Sequence, residues 1–165
     1  YEFMLERLKG IYLDLNVSLN IFESVAALRP DSIADFDRRI LAVVAFEKLP
    51  EAEALAAANK RIRNILRKAG EVIEHTPDIK LFECDDERAL HARVEEKSRQ
   101  IAPLLEGFDY EGALVSLAEL RQPVDRFFDQ VMVMADDPAI RRTRLALLKQ
   151  LGDQFLGVAD ISRLQ

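Results

Sequence analysis

A chain of 165 residues, 49% hydrophobic and 32% charged, has the composition of a soluble globular protein, which excludes disorder and fibrous repeats. Its formal charge of −6 argues against nucleic acid as a partner on the sum alone, because phosphate binding draws on Lys and Arg. The charge is uneven, with 11 basic and 12 acidic side chains in residues 1–75 against 12 and 17 in residues 76–165, so the acid sits mostly in the second half.

Residues Tyr1-Glu2-Phe3-Met4-Leu5-Glu6-Arg7 already have helical character and lack the basic-then-apolar order of a signal peptide. Starting at Tyr1 without an initiator Met, the chain is expected to be part of a longer polypeptide. No apolar run approaches the ~20 residues of a membrane span. The single cysteine, Cys84, cannot close an internal disulfide, and His75 and His91 beside it make no zinc ligand set. A reducing, cytoplasmic compartment is expected.

The six prolines fall mostly where apolar periodicity breaks, so they punctuate helices. A helix is predicted over 32–49, opened by Ser32 with Asp35 three residues on and carrying Phe36, Ile40, Val43 and Val44 at helical spacing. A second runs over 51–69 from Pro50 to the stop at Gly70. Residues 71–84, interrupted by His75-Thr76-Pro77, show no dominant period and hold the expected internal boundary. Four further helices are predicted: Asp85 or Asp86 caps one reaching about Ala102, Asp109 caps 110–120, Pro123 opens one reaching Ala135, and Asp137 caps 138–155. No alternating β-branched run is long enough for a strand, so the class is all-α, a helical bundle divided as 1–76 and 77–165.

Within 51–69, the run Asn59-Lys60-Arg61-Ile62-Arg63-Asn64-Ile65-Leu66-Arg67-Lys68 holds five positive charges and no negative one. On a helical wheel Lys60, Arg63, Asn64 and Arg67 share one face, flanked by Arg61 and Lys68, while Leu55, Ala58, Ile62, Ile65 and Leu66 take the opposite face. Three readings stay open: a solvated helix end whose cations suit the macrodipole, a phosphate-contacting surface, or a membrane-surface helix with a thin apolar face.

Between Pro123 and Ala135 the wheel gathers Val124, Phe127, Phe128, Val131, Met132 and Met134 on an apolar face read as core. Asp125 and Asp129, with Asp136 and Asp137 nearby, supply too few oxygens for a hard metal, so no metal site is expected. In the last helix Arg142 and Lys149 point away from the stripe of Ile140, Leu147, Leu148, Leu151 and Phe155, whereas Arg144 lies inside it. A buried guanidinium needs a carboxylate, and Asp125, Asp129 and Asp160 are the candidates. Gly-rich phosphate loops, nucleophile elbows and Cys–His arrangements with an orienting acid are absent from the sequence, so a binding or structural module is expected.

The run Leu120-Arg121-Gln122-Pro123-Val124-Asp125-Arg126-Phe127-Phe128-Asp129-Gln130-Val131-Met132-Val133-Met134-Ala135-Asp136-Asp137 resembles the C-terminal part of the β subunits of bacterial glycyl-tRNA synthetases. So do Arg141-Arg142-Thr143-Arg144-Leu145-Ala146-Leu147-Leu148, Val158-Ala159-Asp160-Ile161-Ser162 and the earlier Ala56-Ala57-Ala58-Asn59-Lys60-Arg61-Ile62-Arg63. The Asp-Ala-Leu-Arg signature of the module is present loosely, as Asp137-Pro138-Ala139-Ile140-Arg141. Thr143 stands where that family carries Asn, and Gly152-Asp153 interrupts a helix-favouring position.

The resemblance implies an anticodon-binding helical module of the arginyl-tRNA synthetase C-terminal type over about 77–165, preceded by a helical segment of the same subunit. It implies a parent enzyme of two α and two β subunits that joins glycine to tRNA(Gly) with ATP and Mg²⁺, the chemistry lying in the α subunit. No cofactor, DNA or membrane is expected to bind this region itself. Single-stranded loops are read by stacking and base-edge hydrogen bonds, and stems are held through phosphates. The candidate tRNA-binding residues are Lys60, Arg63, Arg67 and Lys68 for the backbone and Arg121, Arg126, Arg141 and Arg142 nearer the loop. Phe108 and Tyr110 are further candidates for stacking a base, with core packing the expected fate of Phe108. The rival expectation is an assembly module whose surface never meets RNA.

Overall fold

A computed structural model of the chain describes residues 1–73 and 76–165. Among them eight α-helices and two 3-10 turns occur and no strand, so the fold is all-α. The helices are α1 (Glu2–Asp14), α2 (Leu19–Ala26), α3 (Ile33–Glu47), α4 (Ala52–Ala69), α5 (Asp85–Glu106), α6 (Tyr110–Ala118), α7 (Arg121–Gln130) and α8 (Pro138–Leu156). The 3-10 turns are Ile79–Leu81 and Ile161–Leu164.

Local chemistry accounts for most boundaries. Ser32 accepts from the Asp35 amide, Asp109 from the Gly112 amide and Asp137 from the Ala139 amide, each satisfying a donor that the first helical turn leaves free. Gly70 ends α4 in the left-handed region at φ 65°, where a side chain is strained. The cap of α5 differs from the expectation. Asp85 and Asp86 lie inside the helix, and Cys84 precedes it, with the Glu87 carboxylate accepting from the Cys84 amide. Pro103 does not stop α5, which continues to Glu106.

The largest departure is α7. It starts two residues before Pro123, which as third residue lacks only an N–H that the first turn leaves unpaired, and it ends at Gln130. Val131 is extended, and from there burial alternates: Val131 and Val133 are buried, Met132 and Met134 are 74% and 50% exposed. The two methionines read as core therefore face solvent. The cause lies in α8, where Arg144 donates to the Met132 carbonyl at 2.8 Å and Arg141 to the Ala135 carbonyl at 3.2 Å, capturing acceptors that a continued helix would not leave free.

One apolar cluster runs from Leu8 to Ile161. Near the N-terminus it is aromatic, with the rings of Tyr12, Phe22 and Phe36 at centroid separations of 5.4–6.1 Å. α3 packs on α6, α4 on α8 and the last 3-10 turn, and α5 on α6 and α7. The expected boundary over 71–84 includes residues 74 and 75, which lie outside the described residues, and the described helices on either side of it bury one another.

Polar ties reinforce this. Arg39 donates to the Gly157 and Val158 carbonyls at 2.9 Å each, to the Tyr110 hydroxyl at 3.1 Å, and to Asp35 at 2.8 Å. Its guanidinium lies 4.3 Å from the Tyr110 ring centroid, and the Tyr110 hydroxyl donates to Asp35. Burial pushes the Asp35 carboxyl up, but the bonds from Tyr110 and Arg39 outweigh it and hold the group below the usual carboxylate range. The Asp160 amide donates to the Ser24 carbonyl at 2.8 Å, tying the chain's end to α2.

Candidate nucleic-acid interface

α4 exists because its Ala- and Leu-rich face buries Leu55, Ala56 and Ile62 against the last helix and turn, which forces the other face outward. On that face Lys60, Arg67 and Lys68 are exposed and pair with no carboxylate among the described residues; Arg67 reaches only the Asn64 side chain, at 3.3 Å. Arg63 behaves differently. It pairs with Asp160 at 2.8 Å and donates to the Ser162 hydroxyl at 3.3 Å, so it holds the last turn against α4. Arg61 covers the Phe128 ring at 4.3 Å, joining α4 to α7.

The loop-side candidates scatter. Arg142 is exposed and pairs with Glu71, just past the end of α4, at 3.6 Å, so it stands beside the end of that helix with its charge met by a carboxylate. Arg121 donates to the Pro50 carbonyl at 3.3 Å and pairs with Asp125 at 3.6 Å. That places it beside the start of α4, about 27 Å from its far end at 1.5 Å per residue. Arg126 lines a shallow hollow with Asp86, Ala89 and Arg93 of α5. Arg141 is half-buried against the Ala135 carbonyl. The eight candidates form one basic face at the C-terminal end of α4 and separate singletons.

A groove of about 320 Å³ runs between α4 and α8, floored by Ile62, Leu66 and Phe155 with Arg63 and Lys149 beside them. A second hollow, about 510 Å³, lies between the stretch after α4 and α8, with Val72, Asp78, Leu81, Arg142 and Thr143 on its walls. Thr143 is spent on structure: its hydroxyl accepts from the Asp78 amide at 2.6 Å and lies 3.3 Å from the Asp78 carbonyl.

Arg144 is 7% exposed and its partners are not Asp125, Asp129 or Asp160. Asp125 pairs with Arg121, and Asp160 with Arg63 and Arg163. Arg144 meets Glu87, itself 0% exposed, through Nε at 3.3 Å and Nη2 at 3.1 Å, and Glu83 at 3.0 Å. Burial pushes the Glu87 carboxyl up; the Arg144 bond, the Glu83 amide, the Arg144 charge and the Cys84 thiol together hold it below the usual range. The sequence did contain a signal, since Glu87 stands three residues after Cys84 at a helix start, but a Cys cap does not announce itself. Lys97 also escaped the reading: 2% exposed, it reaches Gln100 at 2.9 Å and pairs with Glu119.

Phe108 is not core. It is 54% exposed with φ 60°, under the guanidinium of Arg38 at 5.0 Å, while Tyr110 is buried. Among the described residues no group of three or more His, Cys, Asp or Glu side chains is placed to hold a metal ion, and no helix is long and apolar enough to cross a membrane.

The chain is thus an all-helical bundle with a basic helix face left outside its core. The family model of the DALR anticodon binding domain matches residues 55–163, and the chain belongs to that family. The match takes in most of α4 and with it the basic face. Over 99% of its length the chain is 51% identical to the glycine–tRNA ligase β subunit of Marinobacter nauticus, 49% to that of Pseudomonas aeruginosa and 52% to that of Xanthomonas campestris pv. campestris. It spans about a quarter, 24%, of the length of each of these relatives.

Proposed function

We propose that this chain is the tRNA-binding, anticodon-recognising region of a glycine–tRNA ligase β subunit. The observation that carries the reading is identity near 50% with such subunits over 99% of the chain, with the anticodon-binding family match lying inside it. Residues 77–165 serve as the anticodon-binding module and residues 1–76 as the helical segment before it, with α4 bridging the two. Lys60, Arg67 and Lys68 take the RNA backbone, with Arg142 beside the end of their helix, because the three are exposed on α4 with no ion-pair partner among the described residues and phosphate contacts position a bound nucleic acid. Arg121, Arg126 and Arg141 are weaker candidates, each standing apart from that face, and Arg63 acts mainly in holding the last turn.

In this reading the protein works in the cytoplasm with an α subunit, in an assembly of two α and two β subunits. The α subunit uses ATP and Mg²⁺ to join glycine to tRNA(Gly), and this region supplies recognition. The chain alone is expected neither to activate glycine nor to exchange pyrophosphate with ATP; either activity in a preparation free of α subunit contradicts the assignment. Electrophoretic binding of tRNA(Gly) tests the RNA contact. A second reading, an assembly surface, is favoured by one observation: Phe3 and Ile11 of α1 and Leu15 just after it are exposed. Failure to bind RNA together with retained association with the α subunit would select it.

A further inference from the structure

α5 ends in a paired hydrogen-bond turn: the Phe108 amide donates to the Leu105 carbonyl at 3.1 Å and the Asp109 amide to the Leu104 carbonyl at 2.8 Å. Such a turn requires one residue in the left-handed region, and glycine is the residue suited to it. Gly107 is immediately adjacent, yet the position is taken by Phe108 at φ 60°. An aromatic side chain here opposes the backbone preference, and little of it is recovered by burial, since the residue is 54% exposed. Strain retained at an exposed position points away from folding and toward use of the side chain.

The surroundings indicate the use. Arg38, itself exposed, lies with its guanidinium 5.0 Å from the Phe108 centroid, and Tyr110 supports the ring in a T-shaped contact at 6.4 Å. An exposed ring beside an Arg plane is what unpaired nucleobases stack on. The flanking carboxylates of Glu106, Asp109 and Glu111 disfavour a phosphate at this spot, so the group received is the neutral base. A relay of contacts links this corner to α4: Arg63 pairs with Asp160, and two residues earlier the Val158 carbonyl accepts from Arg39, whose guanidinium covers the Tyr110 ring. We infer that Phe108 and Arg38 form a stacking site for one unpaired RNA base, on a strand whose phosphates run along the α4 face. Arg38 lies outside the family-matched residues, so the helical segment before the module contributes to it.

The inference rests on the tRNA-binding reading, and the test separates the two. Affinity of the intact protein for a tRNA(Gly) transcript is measured across a salt series for the unaltered protein, Phe108→Gly, Phe108→Trp and a triple reversal of Lys60, Arg67 and Lys68 to Glu. Phe108→Gly is expected to bind roughly 5- to 150-fold more weakly, the range for loss of one stacked base, with an unchanged slope of log K against log salt, since stacking releases no counterions. Its thermal midpoint should not fall, because Gly suits the left-handed turn, and Phe108→Trp should retain affinity. Normal binding by a folded Phe108→Gly protein overturns the inference and leaves the wider reading intact. An unfolded Phe108→Gly protein overturns it too, by showing the ring to be structural. If the unaltered protein does not bind, both fall.

Discussion

Replacing Arg144 by Ala leaves Glu87 fully buried with its strongest partner gone, and a buried charge stripped of its counterion costs about 3–5 kcal/mol. Chemical denaturation of Arg144→Ala should show that loss, with the segment after α7 loosened as well, because the Met132 carbonyl loses its donor. The pH dependence follows from the same pair. The folded Glu87 carboxyl titrates below its ordinary value near 4.3. Its contribution is therefore complete above about pH 4.3 and is lost as pH falls through the depressed folded value. The stability difference between the unaltered protein and Glu87→Gln should be largest near neutrality and shrink on acidification below about pH 4; a difference that grows there contradicts the assignment. Gly70→Ala, which puts a side chain at φ 65°, should cost about 1–2 kcal/mol by the same measurement.

At the scale of the element, α4 presents cations with and without structural duty. Reversing Lys60, Arg67 and Lys68 to Glu should leave the fold intact, since none has a described ion-pair partner, and should flatten the slope of log K against log salt for tRNA binding by roughly 0.7–0.9 per lost contact. Arg63→Glu should instead destabilise the last turn by placing like charges at Arg63 and Asp160. An unchanged salt slope in the triple variant would remove α4 from the RNA face. The two faces of α4 were legible from 3.6-residue periodicity and its end from Gly70, because both are local properties. The tertiary duty of Arg63 was not, since its partner lies 97 residues away and a wheel shows only which side faces out. The end of α7 was hidden for a related reason: apolar residues continue at helical spacing to Ala135, whereas the helix stops at Gln130 with Val131 extended, and the Met132 and Ala135 carbonyls are taken by the remote Arg144 and Arg141. The caps at Ser32, Asp109 and Asp137 were plain in sequence, whereas the burial of Glu87 and Lys97, charged residues inside α5, was not, because the opposite charges that permit it, Arg144 and Glu119, come from other helices or their ends.

Across the whole molecule, Arg39 joins α3 to α6 and to the end of α8, and one apolar cluster spans residues on both sides of position 76. Thermal unfolding is expected as one cooperative transition, and Arg39→Ala should lower its midpoint without splitting it; two separable transitions would mean that 1–76 and 77–165 fold independently. The net charge of −6 opposes indiscriminate phosphate binding and favours a partner matched to one surface. Whether this chain reads the anticodon is decided most directly by equilibrium binding of the intact protein to tRNA(Gly) and to the same transcript with its anticodon bases replaced, at one fixed salt concentration. The replacement should weaken binding by at least about fivefold, the weight of a single lost base contact of ~1 kcal/mol. Equal affinity for the two transcripts would contradict anticodon recognition by this chain.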